Sequence, residues 1–268
     1  PPNDSLISGG PDRLSINPSR VSTIYTYPDE DLGYLERHSQ WEPEGGTGVY
    51  RRSLFVWKNF TQRWTPCDLL LFLDGQHLFG AARESEKAPT WHAEKKLANW
   101  EYPLVVVGIP ASRRRYPEYI GWSNEPGHYS SSGERHAAFL VDFVVPYLKS
   151  LYPRARLKGL IGASAGGVAA LYTGWLYPRA FPTIGCLSAG RHYFPELLER
   201  FERRPARNIY LSCGDRGMDR EFIHQNKWFA AEMKARGANV RARWHRGDHS
   251  ERVWGRRLPD LLNFFLED

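Results

Sequence analysis

The chain has 268 residues, of which 41% are hydrophobic, and its formal net charge at pH 7 is +6. A chain of this length can bury one substantial core, and no apolar run approaches the roughly 18–20 residues of a membrane span. These values exclude a membrane-spanning protein and are ordinary for a globular one.

The positive charge comes mainly from arginines, which stand in short separate groups. These groups are Arg51-Arg52, Arg113–Arg115, Arg203-Arg204 and Arg256-Arg257. A nucleic-acid-binding protein has a basic stripe or a recognisable module, and neither is present here. We therefore expect no nucleic acid as partner; the arginines either attract a small acidic molecule or form an ordinary charged surface.

The three cysteines, Cys67, Cys186 and Cys213, lie in or beside apolar runs. An odd number of buried thiols favours free cysteines and a reducing compartment, so the expected location is the cytoplasm. The chain begins with Pro1-Pro2 rather than Met, so a periplasmic or secreted location stays open if a leader was removed. The sequence indicates no metal site and no cofactor, and it leaves the oligomeric state open.

Short apolar runs alternate with helix-forming segments along the chain. The predicted strands are Val21–Tyr27, Val49–Trp57, Leu69–Leu73, Leu104–Ile109, Leu157–Ile161, Thr183–Leu187, Asn208–Cys213 and Val240–Trp244. The predicted helices are Trp91–Trp100, Phe139–Leu151, a segment after Ser164, Phe222–Met233 and Val253–Phe265. Such alternation predicts the α/β class, with a mostly parallel sheet and helices on both faces.

No repeat or linker divides the chain. Residues 1–47 are rich in Pro, Gly, Ser and Asp, and we interpret them as an N-terminal arm with one edge strand, part of the same domain. Residues 48–268 would form the catalytic domain. In parallel sheets the active site lies at the carboxyl ends of the strands, so residues that follow strands are the candidates for chemistry.

The segment Gly162–Gly166 reads Gly-x-Ser-x-Gly and lies between an apolar run and a helix-forming run. A nucleophile elbow has this strand–turn–helix context, with the serine hydroxyl exposed at the tip of a strained turn. The first turn of the following helix would aim free N–H groups at an oxyanion. We therefore predict Ser164 as a catalytic nucleophile; the alternative is a turn with no chemistry.

A serine nucleophile needs a base and an acid, and in α/β hydrolases the chain order is serine, acid, histidine. Asp215 follows the strand Asn208–Cys213, and His249 lies on the loop before the last helix. We predict His249 as the base and Asp215 as the acid. Asp219, four residues further on, is the alternative acid if Asp215 only caps the following helix.

Three segments together carry a resemblance to a known family. They are Leu73-Asp74-Gly75-Gln76, Gly162-Ala163-Ser164-Ala165-Gly166-Gly167, and Gly247-Asp248-His249 with Trp254. From about Leu54 to the C-terminus the chain resembles the putative-esterase family of α/β hydrolases, and within it the enterochelin (ferric siderophore) esterases and esterase D-like enzymes. The large N-terminal domain of full-length enterochelin esterases has no counterpart here. Gly217 stands where the family has its acid, which keeps Asp215 open to revision.

The resemblance implies the α/β-hydrolase fold and a serine esterase that works through an acyl-enzyme. It also implies an oxyanion hole formed by the N–H of Ala165 and an N–H near Gln76. The substrate it favours is an enterochelin-like trilactone, an anion when it holds iron. A general carboxylesterase, a feruloyl or acetyl sugar esterase, an acyltransferase, and a non-catalytic anion-binding protein of this fold are the alternatives.

A long irregular segment, Ala111–Gly133, follows the second buried strand and should overhang the site. It carries cations and flat aromatic rings, which an aromatic anion requires. We predict Arg113, Arg115 and Trp122 as substrate-binding residues. In the alternative interpretation, the arginines only solvate a surface loop and Arg115 forms a structural ion pair with Glu118.

Overall fold

The computed structural model describes residues 21–26, 32–41, 52–82, 87–123, 132–190, 193–200 and 208–267. Its strands form one sheet. They are β1 (Val21–Thr26), β2 (Tyr34–Trp41), β3 (Arg52–Lys58), β4 (Cys67–Leu73), β5 (Leu104–Ile109), β6 (Ala155–Ala163), β7 (Thr183–Leu187), β8 (Asn208–Gly214) and β9 (Asn239–His245). The order across the sheet is β1-β2-β3-β5-β4-β6-β7-β8-β9.

The sheet has an antiparallel and a parallel part. Strands β1, β2 and β3 pair antiparallel, and β3 pairs antiparallel with β5. From β5 through β4 and β6 to β9, all neighbours are parallel. The carboxyl ends of these six strands therefore share one edge, with β6 in the interior of the sheet.

The α-helices cover both faces of the sheet. They are α1 (Glu94–Leu97), α2 (Arg115–Ile120), α3 (Ser132–Phe139), α4 (Val145–Leu151), α5 (Ala165–Leu176), α6 (Tyr193–Arg200), α7 (Asp219–Ala235) and α8 (Glu251–Leu266). A π-helical stretch joins α3 to α4, and two short 3₁₀ turns, Gly75–His77 and Gly80–Ala82, follow β4. Among the residues that the structure describes, no helix is both long and apolar enough to cross a membrane.

Two apolar cores explain the continuous apolar runs in the sequence. On one face, Val168 and Leu171 of α5 and Phe229 of α7 pack against the sheet. On the other face, Trp254 and Leu258 of α8 do the same. A strand covered on both sides must be apolar on both sides, and all six residues of β5 are buried.

The predicted α/β class, with its mostly parallel sheet, is confirmed. Strand β2 was missed, because its sequence YLERHSQW places charged residues among the apolar ones. Two of them are tied down in the structure: Glu36 accepts a hydrogen bond from Lys58 Nζ at 2.6 Å, and His38 Nδ1 lies 2.6 Å from Tyr147 Oη. The helix predicted for Trp91–Trp100 was too long, since only Glu94–Leu97 is helical.

Candidate active site

Ser164 lies between β6 and α5 in a strained backbone conformation. Its φ is 56° and its ψ is −130°, in a region that residues other than glycine rarely adopt. Its N–H donates to the carbonyl of Leu187 at 2.8 Å, and its own carbonyl accepts from Gly167 N and Val168 N. These hydrogen bonds stabilise the strained backbone conformation of Ser164, as expected for a serine at a sharp turn.

The glycines around Ser164 permit close backbone contacts. A Cβ on Gly162 would lie 2.2 Å from the carbonyl oxygen of Gly166, and a Cβ on Gly166 would lie 2.7 Å from Asp74 Oδ2. Strand and helix therefore meet at a distance that leaves no room for a side chain. The small residues of the Gly-x-Ser-x-Gly motif are a steric requirement of the turn.

His249 is held by Asp219. Its Nδ1 lies 2.7 Å from Asp219 Oδ1, and the Asp219 side chain is 0% exposed while that of His249 is 14% exposed. Burial alone would raise the pKa of Asp219, but hydrogen bonds from His249, Ser188 and the Gly214 N–H outweigh burial and hold the pKa below its ordinary value. Asp219 is therefore an ionised carboxylate that fixes one ring nitrogen of His249.

Asp215 does not contact His249, so its assignment as the partner of that histidine is wrong. Asp215 stands at the end of β8, where its Oδ1 accepts a hydrogen bond from Gly247 N at 3.2 Å in an exposed position. The chain passes Gly217, whose φ is +54°, before α7 begins at Asp219. That turn buries Asp219 and brings it to His249, so the alternative acid has the geometry that Asp215 lacks.

Three further side chains surround this pair. Ser188 Oγ donates to Asp219 Oδ2 at 2.7 Å, and Trp254 Nε1 donates to Ser188 Oγ at 2.9 Å. The rings of Trp254 and Phe222 meet the His249 ring edge to face, with centroids 4.9 and 5.8 Å away. No role is predicted for Ser188 from the sequence. Its place directly after β7 is the signal that could have found it, because residues at the carboxyl ends of parallel strands face the candidate site.

The residues predicted as oxyanion donors lie at the turns that follow β6 and β4. Ala165 is the first residue of α5, and Gln76 lies in the 3₁₀ turn after β4. The first N–H groups of a helix have no intrahelical acceptor. Asp74 enters this turn with φ 57°, and a Cβ on Gly75 would lie 2.1 Å from the Gly108 carbonyl carbon, so the turn is pressed against β5.

Arg115 is bound to this turn. Its Nε and Nη2 donate to Asp74 Oδ1 and Oδ2, both at 2.7 Å, in a bidentate pair. Tyr119 Oη accepts a hydrogen bond from Asp74 N at 3.2 Å. The ion pair of Arg115 with Glu118 that we considered does not form, since Glu118 pairs with Arg52 at 3.2 Å in a buried site. The arrangement makes Arg115 a support of the turn before Gln76.

The predicted substrate-binding residues have different positions. Arg113 is exposed, as a ligand contact requires. Trp122 is only 1% exposed; its ring stacks on Tyr172 at 4.7 Å and its Nε1 donates to Tyr119 O at 2.9 Å. A ring buried in this way cannot stack on a ligand, so the assignment of Trp122 is wrong. Part of the predicted long segment, residues 124–131, lies outside the described residues.

Two cavities lie close to the candidate residues, one at Ser164 and one at the neighbours of His249 in the chain. One, of about 130 Å³, borders Ser164. It is lined by Tyr116, Ser164, Ala165, Val168, Ser188, Gly190, Tyr193, Met218 and Phe222. The other, of about 490 Å³, is lined by the residues on either side of His249, namely Asp248 and Ser250, and by Trp91, Lys96, Arg252 and Arg256 among others.

The mostly parallel sheet with helices on both faces, and the strained serine between β6 and α5, define the α/β-hydrolase class. The chain belongs to the Putative esterase family, whose sequence profile matches residues 53–265. This membership places it in a family of carboxylic ester hydrolases. None of the curated proteins matches the sequence.

Solved structures share the fold at low identity. The enterochelin esterase of Shigella flexneri is 21% identical, with a TM-score of 0.57 over 81% of this chain and 55% of that protein. The siderophore hydrolase EstA of Aspergillus nidulans is 16% identical, with a TM-score of 0.59 over 90% and 96%. An S-formylglutathione hydrolase of Agrobacterium tumefaciens is 14% identical, with a TM-score of 0.58 over 92% and 98%. The chain thus spans about half the length of the enterochelin esterase.

Proposed function

We propose that the protein is a serine esterase in which Ser164 is the nucleophile, His249 the base and Asp219 the acid. The observation that carries the proposal is the 2.7 Å contact of His249 Nδ1 with the buried Asp219 carboxylate, at the edge of the sheet that holds strained Ser164. A histidine that is fixed through Nδ1 can accept the proton of a serine hydroxyl at Nε2, and this arrangement activates the serine.

The reaction then has two steps. Ser164 Oγ bonds to the ester carbonyl carbon while His249 Nε2 takes its proton; the C–O bond to the alcohol breaks and the alcohol leaves with that proton. Water then attacks the acyl-enzyme and gives a proton to His249; the C–O bond to Ser164 breaks, His249 returns that proton to Ser164 Oγ, and the acid leaves. Asp219 stabilises the imidazolium in both steps. The N–H groups of Ala165 and Gln76 would bind the oxyanion, each worth roughly 3 kcal/mol.

For the substrate we propose an anionic ester of the siderophore type. The enterochelin esterase and the siderophore hydrolase that share the fold support this class. Cationic side chains support it too: exposed Arg113, two residues before the Arg115 that pairs with Asp74, and Lys96, Arg252 and Arg256 around the cavity lined by Asp248 and Ser250. The carboxylates of Asp248 and Glu251 also line that cavity, so its charge is mixed. A bound anion would therefore depend on individual charged hydrogen bonds with the cations and not on an overall positive potential.

One observation favours a second candidate, a general carboxylesterase for short acyl groups. The cavity at Ser164 has only about 130 Å³ and is lined largely by apolar side chains such as Val168, Met218 and Phe222. A cavity of that size suits a small acyl group better than an aromatic one.

The catalytic proposal is tested with a fluorophosphonate probe and a 4-nitrophenyl ester. Wild-type protein should be labelled at Ser164 and should turn over the ester; Ser164→Ala should lose both. Ser150→Ala, whose hydroxyl donates to Tyr147 O at 2.7 Å within helix α4, is the matched control. Absence of labelling together with salt-sensitive binding of a polyanion would favour the non-catalytic alternative.

The substrate proposal is tested with an ester panel. It contains ferric and iron-free catecholate trilactones, feruloyl and acetyl sugars, S-formylglutathione and short aryl esters. Neutralising the cations in Arg113→Gln and in Arg256→Gln separates the two candidate anion contacts. Whichever contact is used, its loss should raise KM for the anionic trilactone about tenfold or more and leave KM for a neutral aryl ester unchanged. Equal effects on both esters in both variants would contradict an anionic substrate.

We also propose a reducing compartment. Cys67, Cys186 and Cys213 are all buried and free, and burial raises the pKa of each thiol, that of Cys67 to about 11.

A further inference from the structure

The hydrogen bonds behind Asp219 form a chain whose proton positions can be assigned from chemistry alone. Trp254 Nε1–H can only donate, so at the 2.9 Å contact Ser188 Oγ is the acceptor. The single hydroxyl proton of Ser188 is thereby left for its other neighbour, Asp219 Oδ2, at 2.7 Å. Gly214 N–H donates to the same oxygen at 2.9 Å, so Oδ1 is left for His249.

The chain of bonds closes on itself. The Trp254 ring that donates to Ser188 also meets the His249 ring edge to face at 4.9 Å. Ser188, Asp219 and Trp254 are 0%, 0% and 7% exposed, so water does not compete for these bonds. Ser188 has a φ of 50°, a strained value for serine, and its N–H donates to Ser212 O. Backbone strain at a buried, fully bonded hydroxyl indicates that the surrounding structure enforces this position.

From this geometry we infer that Ser188 and Trp254 are positioning residues, which orient Asp219 so that its Oδ1 fixes the tautomer and ring orientation of His249. The inference rests on the proposed function, because it concerns the same base. In this role both residues act through Asp219 and His249 and not on the substrate. Ser188 acts by holding one carboxylate oxygen, and Trp254 acts twice, by fixing the Ser188 hydroxyl and by packing against the imidazole.

A double-mutant cycle on Ser188→Ala and Trp254→Phe tests the inference. Phenylalanine keeps a ring against His249 and removes only the indole N–H. With a neutral aryl ester, Ser188→Ala should lower kcat about tenfold to thirtyfold and Trp254→Phe about threefold to tenfold, with KM within about twofold of wild type. In the Ser188→Ala background the Trp254→Phe change should cost nothing more, because the indole then has no hydroxyl to orient.

Two control variants remove similar groups elsewhere. Ser123→Ala deletes a buried hydroxyl that donates to a carboxylate, Glu196 Oε2, at 2.6 Å, and Trp57→Phe deletes a buried indole N–H that donates to Leu32 O at 2.7 Å. Both controls should keep wild-type kcat even where they lower the melting temperature.

The ¹H NMR resonance of the His249 Nδ1 proton gives a readout that does not depend on turnover. It should lie at low field in wild type and in both controls, and it should shift or broaden in Ser188→Ala and in Trp254→Phe. Multiplicative losses in the double mutant, or an unchanged resonance in folded Trp254→Phe, would overturn the positioning role. Those results would leave the proposed function intact, which fails only if wild type is neither labelled at Ser164 nor active.

Discussion

The exchange of Asp219 for asparagine is the sharpest test of the acid assignment. Asparagine has nearly the same shape, so the change removes the charge and little else. Ser188 Oγ and Gly214 N both donate to Oδ2, so the amide oxygen must take that position. The amide NH₂ then occupies the place of Oδ1, 2.7 Å from His249 Nδ1. A donor there holds the imidazole in the wrong tautomer, with its proton on Nε2.

The size of the effect follows from the lost charge. At about 4 Å between charge centres and an effective dielectric constant of about 20, the attraction between the carboxylate and the imidazolium is roughly 4 kcal/mol. A loss of that size in the transition state lowers kcat about 10³-fold. The wrong tautomer adds to the loss, so we expect Asp219→Asn to reduce kcat by about 10³ to 10⁴ with little change in KM.

Asp215→Asn is the matched control. It removes a carboxylate four residues away, in an exposed position, whose one hydrogen bond in the described part of the chain is to Gly247 N. Its effect on kcat should stay below about threefold. The assay is initial-rate turnover of a 4-nitrophenyl ester at several concentrations, with thermal unfolding of each variant to confirm the fold. A large loss in Asp215→Asn together with a small loss in Asp219→Asn would refute the reasoning.

Three further predictions concern stability. Trp122→Phe should lower the free energy of unfolding in urea by about 1–2 kcal/mol through the lost bond to Tyr119 O, while KM for every active ester stays unchanged; a selective rise in KM would restore Trp122 as a ligand contact. Gly162→Ala should cost about 3 kcal/mol of unfolding free energy or prevent folding, because its Cβ would meet the Gly166 carbonyl at 2.2 Å, and a wild-type melting temperature would contradict this. Because the pKa of Asp219 is lowered in the folded protein, its ionised carboxylate contributes stability that is complete above the ordinary aspartate pKa near 3.9 and is lost as the pH falls through the lowered pKa. The difference in unfolding free energy between wild type and Asp219→Asn should therefore shrink from pH 5 to pH 2.5. A constant difference would show that the pKa is not lowered.

The sequence determined the parts of this protein that depend on local patterns. Apolar runs that are buried on both faces read as strands, and this held for β4, β5 and β7. The Gly-x-Ser-x-Gly spacing likewise predicted the turn at Ser164, since only small residues let a strand and a helix approach so closely. Strand β2 was not predicted, because its polar residues are stabilised by partners on other elements and the local sequence pattern does not show those partners.

Only the tertiary structure decided which carboxylate reaches His249. Asp215 and Asp219 both follow β8 in the sequence, and the choice depends on a turn at Gly217 and on how α7 packs. The tertiary structure also decided that Trp122 is buried and that Ser188 faces Asp219. Burial and long-range hydrogen bonds both depend on residues that are far apart in the chain. A strand or a tight turn depends on residues that are neighbours in the chain, whereas the partners of a charged group depend on which strands and helices the fold brings together.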